Sequence, residues 1–278
     1  MIVADPLVYP LPSGPFEPIP SLRGAIGVFD SGVGGLSVLR AIRAQLPHEH
    51  LVYVADSGHA PYGDKSASQI VDRTLSVGLW LARQGVRALT IACNTATVMA
   101  VHALRQQTQL PVVAIEPAIK PAAGLTQSGV VGVLATQQTI QSESVARLLQ
   151  RFGQGVRFVL QACPGWVEQV ELGELDSAAT QTMVERDTHA LTEAGADVWV
   201  LGCTHYPFLE GALRRCAGPM VQLIDPAQAV ARELVRRLPP PAEPPALSAA
   251  GLTFFTSGDV LQAQRVIARL WSAQTASV

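Results

Sequence analysis

The chain has 278 residues, of which 48% are apolar, and a formal net charge of −2. A chain of this length can form one large domain or two smaller ones with a sizeable core. The weak negative charge, without a run of Lys or Arg, disfavours nucleic acid or an acidic membrane surface as the main partner. Every apolar run is shorter than the about 18 residues of a membrane span. We therefore expect a small-molecule partner, no nucleic acid and no membrane.

Residues 1–24 form a distinct N-terminal extension with six prolines. They lack the basic start and the unbroken apolar stretch of a secretory signal. We expect this segment to be a mostly extended appendage. Because nothing marks the chain for export, we also expect a cytoplasmic protein whose four cysteines are reduced.

Beyond the extension, short apolar runs alternate with stretches of helical periodicity. The sequence predicts strands at Ala25–Phe29, Leu51–Ala55 and Ala88–Ala92. Helices are predicted to begin near Gly35 and Thr95. Strands that alternate with helices are typical of a parallel sheet covered on both faces. The predicted fold class is therefore α/β.

The pattern then starts again. The strand predicted at Val130–Leu134 leads into a small polar loop and a helix, as the first strand does. Likewise, residues 199–205 correspond to residues 89–95, and both runs contain a strand, a cysteine and polar residues. The offsets, about 105 and about 110 residues, agree with one duplicated α/β unit. Such short matches also recur by chance, so the duplication is a hypothesis that predicts two similar half-sites.

Five prolines break the helical pattern near the C-terminus; they are Pro239, Pro240, Pro241, Pro244 and Pro245. A cluster of this kind is typical of a surface connection. After it, the sequence predicts a strand at Leu252–Thr256 and a helix at Asp259–Ser272. This pair is too small to fold alone, so we expect it to complete an earlier sheet.

Two of the cysteines, Cys93 and Cys203, each end a predicted strand and open a loop that leads into a helix. Ligand sites of open α/β sheets lie at such strand ends. Either cysteine taken alone is better explained as a buried core residue, but their equivalent positions favour function. A helix start lowers the pKa of a thiol towards working pH. Two opposed thiols are the minimal device for inverting an α-carbon by proton transfer.

Two further loops follow predicted strands at the same sheet edge. The loop Asp30–Gly35 opens a helix, so its backbone N–H groups and the Ser31 hydroxyl could hold a carboxylate. The alternative is a simple cap and tight turn, and the glycine spacing does not fit a dinucleotide fingerprint. The loop Asp56–Gly63 belongs to the same site or is merely a turn.

Pyridoxal and metal chemistry have little support in the sequence. A pyridoxal Schiff base needs a lysine, and neither Lys65 nor Lys120 lies at a strand end beside a phosphate-binding glycine loop. Although Cys203 and His205 are close, the sequence has no paired Cys-x-x-Cys or His-x-x-x-His spacing. We therefore expect no cofactor and no metal.

Several motifs together resemble those of the glutamate racemases, in the aspartate/glutamate racemase family. The main matches are Gly27–Leu36 (GVFDSGVGGL), Pro61–Gly63 (PYG), Ala92–Thr97 (ACNTAT) and Gly202–Pro207 (GCTHYP), with weaker ones at 135–140, 162–164 and 255–259. Several co-linear motifs are more specific than any one of them. The resemblance implies a cofactor-independent isomerase that interconverts L- and D-glutamate and supplies D-glutamate for peptidoglycan synthesis.

The family fold implies two similar parallel-sheet α/β domains related by pseudo-twofold symmetry, with the active site in the cleft between them. Residues 25–117 and 227–278 would form the first, discontinuous domain, and residues 118–226 the second. The resemblance also implies a homodimer.

The resemblance further implies a two-base mechanism. Cys93, assisted by Asp30, would take the proton from D-glutamate, and Cys203, assisted by His205, would work on the L-face. The family has a glutamate after the Cys-Pro pair, which falls on Glu171, with Glu168 as the alternative position. The residues implied to bind substrate are Asp30, Ser31, Tyr62, Gly63, Asn94, Thr95, Thr204 and His205.

Two features depart from the family pattern. His59 stands where the family usually has an arginine, which would alter the contacts of its loop or the mouth of the cleft. The extension of residues 1–24 exceeds the shorter family members. Some relatives with such an extension are controlled there by a cell-wall precursor, so the segment is a candidate contact for that effector. We favour the alternative of a disordered tail.

Two other hypotheses compete with a glutamate racemase. A related racemase or decarboxylase could act on aspartate, hydantoins or arylmalonates, but two cysteines argue against the single-thiol decarboxylases and residues 203–205 fit glutamate better. A catalytically silent protein of the same fold could use the cleft to sense an amino acid. Exchange of the α-hydrogen with solvent distinguishes these hypotheses.

Overall fold

The computed structural model describes residues 7–12, 19–240 and 251–273. The strands are β1 (Val8–Pro10), β2 (Ile26–Asp30), β3 (Leu51–Ala55), β4 (Ala88–Ile91), β5 (Val112–Ala114), β6 (Val130–Ala135), β7 (Arg157–Ala162), β8 (Val198–Leu201), β9 (Gln222–Ile224) and β10 (Leu252–Thr256). The helices are α1 (Leu36–Gln45), α2 (Ala67–Arg83), α3 (Asn94–Gln107), α4 (Ile119–Leu125), α5 (Gln137–Ile140), α6 (Glu143–Phe152), α7 (Trp166–Leu172), α8 (Ala178–Glu193), α9 (Glu210–Ala217), α10 (Ala227–Arg237) and α11 (Val260–Ala273). None of these helices is long and apolar enough to span a bilayer.

These strands form two parallel sheets. The larger sheet has the order β1-β10-β3-β2-β4-β5, and the smaller has the order β7-β6-β8-β9. The segment β3-β2-β4-β5 therefore matches β7-β6-β8-β9, because in each the first strand along the chain lies between the second and the third. This shared order confirms the prediction of two similar parallel-sheet α/β domains.

The central strands of the larger sheet are buried along their whole length, as expected for a sheet covered by helices on both faces. In the register of the sheet, Asp30 pairs with Ala55, and Phe29 pairs with Ile91. The carboxyl ends of β2, β3 and β4 therefore meet at one edge. The loops predicted to carry chemistry begin at this edge.

The C-terminal strand returns to the larger sheet. It pairs in parallel with β3, from Leu252 opposite Leu51 to Thr256 opposite Ala55. The expectation that this segment completes an earlier sheet is thus confirmed. The proline-rich connection falls partly on residues 241–250, which lie outside the described residues.

Part of the N-terminal extension also belongs to this sheet. Residues 8–10 form β1, which pairs in parallel with β10, and the N–H of Leu11 donates to the carbonyl of Thr256 at 2.6 Å. The expectation of a disordered tail is therefore wrong for these residues. The physical reason is that the outer edge of β10 presents backbone groups that a further strand can satisfy, while Val8 buries its side chain.

Hydrogen bonds between the loop before β6 and Asp197 make the stability of the fold depend on pH. The Asp197 carboxylate accepts hydrogen bonds from Thr126 Oγ1 at 2.5 Å and from the N–H groups of Gln127 and Ser128 at 2.7 and 2.8 Å. Partial burial alone raises the pKa of Asp197, but these hydrogen bonds outweigh it and lower the pKa to about 2. The ionised carboxylate thus stabilises the fold above its ordinary pKa of 3.8, and this contribution is lost as the pH falls towards about 2.

We therefore expect Asp197→Ala to lower the melting temperature by a few degrees at pH 7, with a difference from the unmodified protein that shrinks below about pH 4. Thermal denaturation between pH 7 and pH 2.5 measures this difference. Asp176→Ala, at a side chain that is 72% exposed, is the control. A difference that stays constant down to the lowest pH would contradict the prediction.

Candidate active site

Asp30 is the last residue of β2, and its carboxylate is fully buried. Its Oδ2 accepts hydrogen bonds from the N–H groups of Gly35 at 2.9 Å and Gly32 at 3.3 Å. Burial raises the pKa of Asp30, against the lowering effect of the nearby charge on His205 and of the Gly35 hydrogen bond. A raised pKa makes this carboxylate a better proton acceptor than an exposed one.

These contacts change the role predicted for the loop Asp30–Gly35. Its N–H groups were expected to hold a substrate carboxylate, but two of them donate to Asp30, and the Val33 N–H donates to Glu171 Oε1 at 2.6 Å. The prediction is wrong for these three groups, because the protein's own carboxylates already satisfy them. The Ser31 hydroxyl instead accepts a hydrogen bond from the Cys93 thiol.

Cys93 lies directly before α3 and caps this helix. Its Sγ accepts a hydrogen bond from the N–H of Ala96 at 3.4 Å, and its thiol donates to Ser31 Oγ at 3.4 Å. Burial and the charge of Asp30 raise its pKa, and its hydrogen bonds with Ser31 and Ala96 do not compensate. The expectation of a lowered pKa is therefore wrong for Cys93, which is a protonated thiol at neutral pH in this structure.

Cys203 follows β8, at the place in the smaller sheet that Cys93 has after β4 in the larger one. Its buried Sγ lies 3.6 Å from Nδ1 of His205. The helix predicted directly after it begins instead as a 3-10 turn at Tyr206–Leu209, and α9 begins only at Glu210. The turn has Pro207 in its first residues, where proline is tolerated.

His205 connects Cys203 to a carboxylate. Its Nε2 donates to Glu171 Oε1 at 2.7 Å, so of the two candidate glutamates, Glu171 is the one that contacts the imidazole. Burial alone lowers the pKa of His205, but the hydrogen bonds to Cys203 and Glu171 outweigh burial and raise it well above its ordinary value. The direction of this shift favours the protonated imidazole, which lies between Cys203 and Glu171. The second oxygen of Glu171 accepts a hydrogen bond from Ser57 Oγ at 3.0 Å.

The two halves of the site touch directly. The hydroxyl of Thr204, after β8, donates to the Asp30 carboxylate, after β2, at 3.3 Å. Two glycines permit the close approach, since a Cβ at Gly32 would overlap the carboxylate of Glu171 and a Cβ at Gly34 would overlap the imidazole of His205. The glycines of this loop are therefore required for space.

Asn94 and Thr95 form the first turn of α3, beside Cys93. Both polar atoms of the Asn94 side chain are buried and have no hydrogen-bond partner in the described part of the chain. Buried amides are rarely left unsatisfied, so this side chain points to a ligand. Thr95 Oγ1 lies 2.9 Å from Oγ1 of Thr136 and 3.3 Å from Oγ1 of Thr139, which belong to the smaller sheet's side of the site.

The segment with Tyr62 and Gly63 approaches the same threonines. Gly63 packs so closely on Thr136 that a Cβ on it would lie 3.0 Å from Thr136 Cβ. The Tyr62 hydroxyl donates its proton to Asp56 Oδ2 at 2.6 Å, so it cannot donate to a substrate carboxylate. The N–H groups of Tyr62 and Gly63 donate to no other atom of the described residues, so the backbone of this segment is what remains to bind a ligand.

Comparison with known proteins agrees with this arrangement. The family model for Asp/Glu/Hydantoin racemase matches residues 26–234. The glutamate racemase of Methylococcus capsulatus is 52% identical over 247 residues, which is 88% of this chain and 91% of the relative. The chain belongs to the Asp/Glu/Hydantoin racemase family.

Solved structures of other racemases have the same architecture. A glutamate racemase isoform of Bacillus anthracis is 31% identical, with a TM-score of 0.77 over 89% of this chain and 94% of that one. The Escherichia coli glutamate racemase, solved with L-glutamate and the activator UDP-MurNAc-ala, is 32% identical, with a TM-score of 0.74 over 84% of this chain and 98% of that one.

Within this racemase, the structure brings together all the residues singled out from the sequence around Cys93 and Cys203. It adds Thr136, Thr139 and Ser57 to the site, which the sequence did not single out. Thr136 and Thr139 belong to a short motif that matches the family only weakly. Their proximity to Thr95 depends on contacts between the parts of the chain that carry the two sheets. Such long-range contacts cannot be predicted from a local sequence pattern.

Proposed function

We propose that this racemase interconverts L- and D-glutamate by two-thiol proton transfer, without pyridoxal. The observation that carries the proposal is that Cys93 and Cys203 follow equivalent strands of two similar sheets. Cys203 lies 3.6 Å from the imidazole of His205, and Cys93 lies within the electrostatic influence of the Asp30 carboxylate. The relatives described above are glutamate racemases, and one was solved with L-glutamate. Two acid–base groups on opposite faces of an α-carbon can invert it with no electron sink.

In the proposed L-to-D direction, Cys203 begins as a thiolate and takes the α-proton of L-glutamate. The positive charge of His205 lies where it can stabilise negative charge on Cys203 Sγ. Glu171 holds the imidazolium in place from its other side. The Cys93 thiol, protonated because burial raises its pKa, then delivers its proton to the opposite face and gives D-glutamate.

The reverse direction needs Cys93 as the base and Cys203 as the acid. Asp30 is the nearby carboxylate whose raised pKa suits it to accept the Cys93 proton or share it. The charge of Asp30 is also one cause of the raised pKa of Cys93. Each turnover exchanges the protonation states of the two thiols, which solvent must restore.

The polar groups around the thiols are proposed to bind the substrate. The unpartnered amide of Asn94 and the Ser31 hydroxyl lie beside Cys93, where they can bind the α-carboxylate and ammonium groups. Thr204 and His205 are the corresponding groups beside Cys203. The hydroxyl of Thr95 and the N–H groups of Tyr62 and Gly63 left free by the described residues are proposed to bind the side-chain carboxylate.

The proposal is tested by hydrogen exchange. Purified protein without added pyridoxal, in deuterated water, is expected to place deuterium at the α-position of both D- and L-glutamate and to interconvert them. NMR of the α-proton and chiral chromatography follow the two processes. Exchange with aspartate alone would assign a different substrate, and no exchange with any acidic amino acid would favour an amino-acid-sensing protein.

We also propose that the reaction takes place in the cytoplasm, that a homodimer carries it out and that its D-glutamate serves peptidoglycan synthesis. The naming of UDP-MurNAc-ala as an activator of the Escherichia coli relative supports a connection to cell-wall precursors. In this chain an effector at the N-terminal extension could act through β10, because Ser257 after this strand accepts a hydrogen bond from the N–H of Gly58 at 3.1 Å. Assays with UDP-MurNAc-ala, on the full chain and on a variant that lacks residues 1–12, test this contact; equal stimulation of both forms would exclude it.

A further inference from the structure

Asp56 follows β3 at the sheet edge and has a fully buried carboxylate. Arg73 binds it through two hydrogen bonds, from Nε to Oδ2 at 3.0 Å and from Nη2 to Oδ1 at 2.7 Å. The Tyr62 hydroxyl donates to Oδ2 at 2.6 Å. Burial alone raises the pKa of Asp56, but the hydrogen bonds from Arg73, Ser257 and Tyr62 outweigh burial and lower it. The group is therefore a buried, paired carboxylate.

This ion pair closes the loop that contains Tyr62. Asp56 is the first residue of the loop, and Arg73 lies in α2, which begins after the loop ends. The guanidinium reaches back across the loop to the carboxylate, so the pair joins residues 17 positions apart. Tyr62 lies inside the closed segment, with its hydroxyl on Asp56 and its ring packed at a centroid distance of 6.3 Å from Phe29.

His59 shares the same carboxylate. Its Nδ1 lies 3.1 Å from Asp56 Oδ1, and its side chain is 41% exposed. Oδ1 therefore accepts hydrogen bonds from both Arg73 and His59. Arg73 makes two hydrogen bonds to the carboxylate and His59 makes one, so Arg73 contributes more to its orientation. A longer cationic side chain at position 59 would reach the same oxygen.

We propose that Arg73 and Asp56 are positioning residues that fix the backbone of Tyr62 and Gly63 against Thr136, and with it the subsite for the substrate's side-chain carboxylate. The inference rests on the proposed glutamate racemase function. A bidentate pair between a guanidinium and a carboxylate is directional, so it fixes orientation as well as charge. Loss of a hydrogen bond to a charged group such as this carboxylate weakens binding by roughly 10- to 100-fold.

The test compares Arg73→Met with Arg83→Met, which removes an exposed arginine from the last turn of the same helix. Arg73→Met is expected to raise the KM for both enantiomers of glutamate by roughly 10- to 100-fold, with kcat largely retained. The inhibition constant of 2-aminobutyrate, which lacks the side-chain carboxylate, is expected to stay unchanged. Arg83→Met is expected to match the unmodified enzyme.

Two further variants keep the test decisive if Arg73→Met folds poorly. Tyr62→Phe removes only the hydroxyl that binds Asp56 and is expected to raise the same KM. His59→Arg, combined with Arg73→Met, is expected to recover part of the affinity for glutamate. Unchanged KM values for glutamate in both Arg73→Met and Tyr62→Phe would overturn the inference. A loss of 2-aminobutyrate affinity equal to the loss of glutamate affinity would also overturn it. Absence of racemisation by the unmodified protein would instead overturn the proposed function.

Discussion

Cys93→Ala and Cys203→Ala are each expected to lower kcat for racemisation by at least about 10³-fold, since a positioned acid or base contributes roughly 10²- to 10⁴-fold and both are needed in every turnover. Each variant keeps one thiol, so each should retain exchange on one face only. Cys93→Ala is expected to exchange the α-hydrogen of L-glutamate slowly without inverting it, and Cys203→Ala that of D-glutamate. Chiral chromatography and NMR in deuterated water measure both.

Cys216→Ala is the matched control, because this partly exposed cysteine lies in α9 and has a contact with Gln181 at 3.6 Å rather than with the site. It should leave kcat unchanged. If Cys93→Ala or Cys203→Ala keeps full racemisation, the two-thiol mechanism is wrong. Exchange into the same enantiomer by both variants would mean that the two thiols do not serve opposite faces.

Asp30→Asn and His205→Asn are expected to have opposite effects on kinetic isotope effects. Asp30 assists Cys93, so its loss should make proton removal from D-glutamate more rate-limiting. The primary isotope effect on kcat/KM should then rise with α-deuterated D-glutamate and fall with α-deuterated L-glutamate. His205 supports Cys203, so His205→Asn should show the reverse pattern. Initial rates with the labelled and unlabelled enantiomers measure these isotope effects.

The isotope effects are needed because the equilibrium constant of a racemase is 1 by symmetry. For unlabelled glutamate, kcat/KM must therefore fall equally in both directions in any variant, so kcat/KM alone cannot assign a face. Each variant serves as the control for the other. The same change in isotope effect with both enantiomers in both variants would show that Asp30 and His205 act on the site as a whole.

The sequence alone predicted the α/β fold class, suggested a repeated α/β unit and placed two cysteines at equivalent strand ends. Parallel strands buried on both faces are continuous apolar runs, and the polar residues after each run mark the sheet edge where ligands bind. This information is local, so Asp30, Cys93 and Cys203 could be placed at strand ends without coordinates. The C-terminal strand was predicted to join an earlier sheet because it is too small to fold alone, and β10 does so.

Only the tertiary structure decided which groups contact one another. The loop N–H groups expected to be free for a substrate are bound by Asp30 and Glu171, and the pKa of Cys93 is raised by burial although the thiol caps a helix. Burial and partners come from segments far away in the chain, so no local pattern reports them. The same reason applies to Arg73, which reaches Asp56 only because α2 folds back over the loop. Residue types and spacing thus predicted the two thiols, while the packing of the two sheets determined which groups lie beside them.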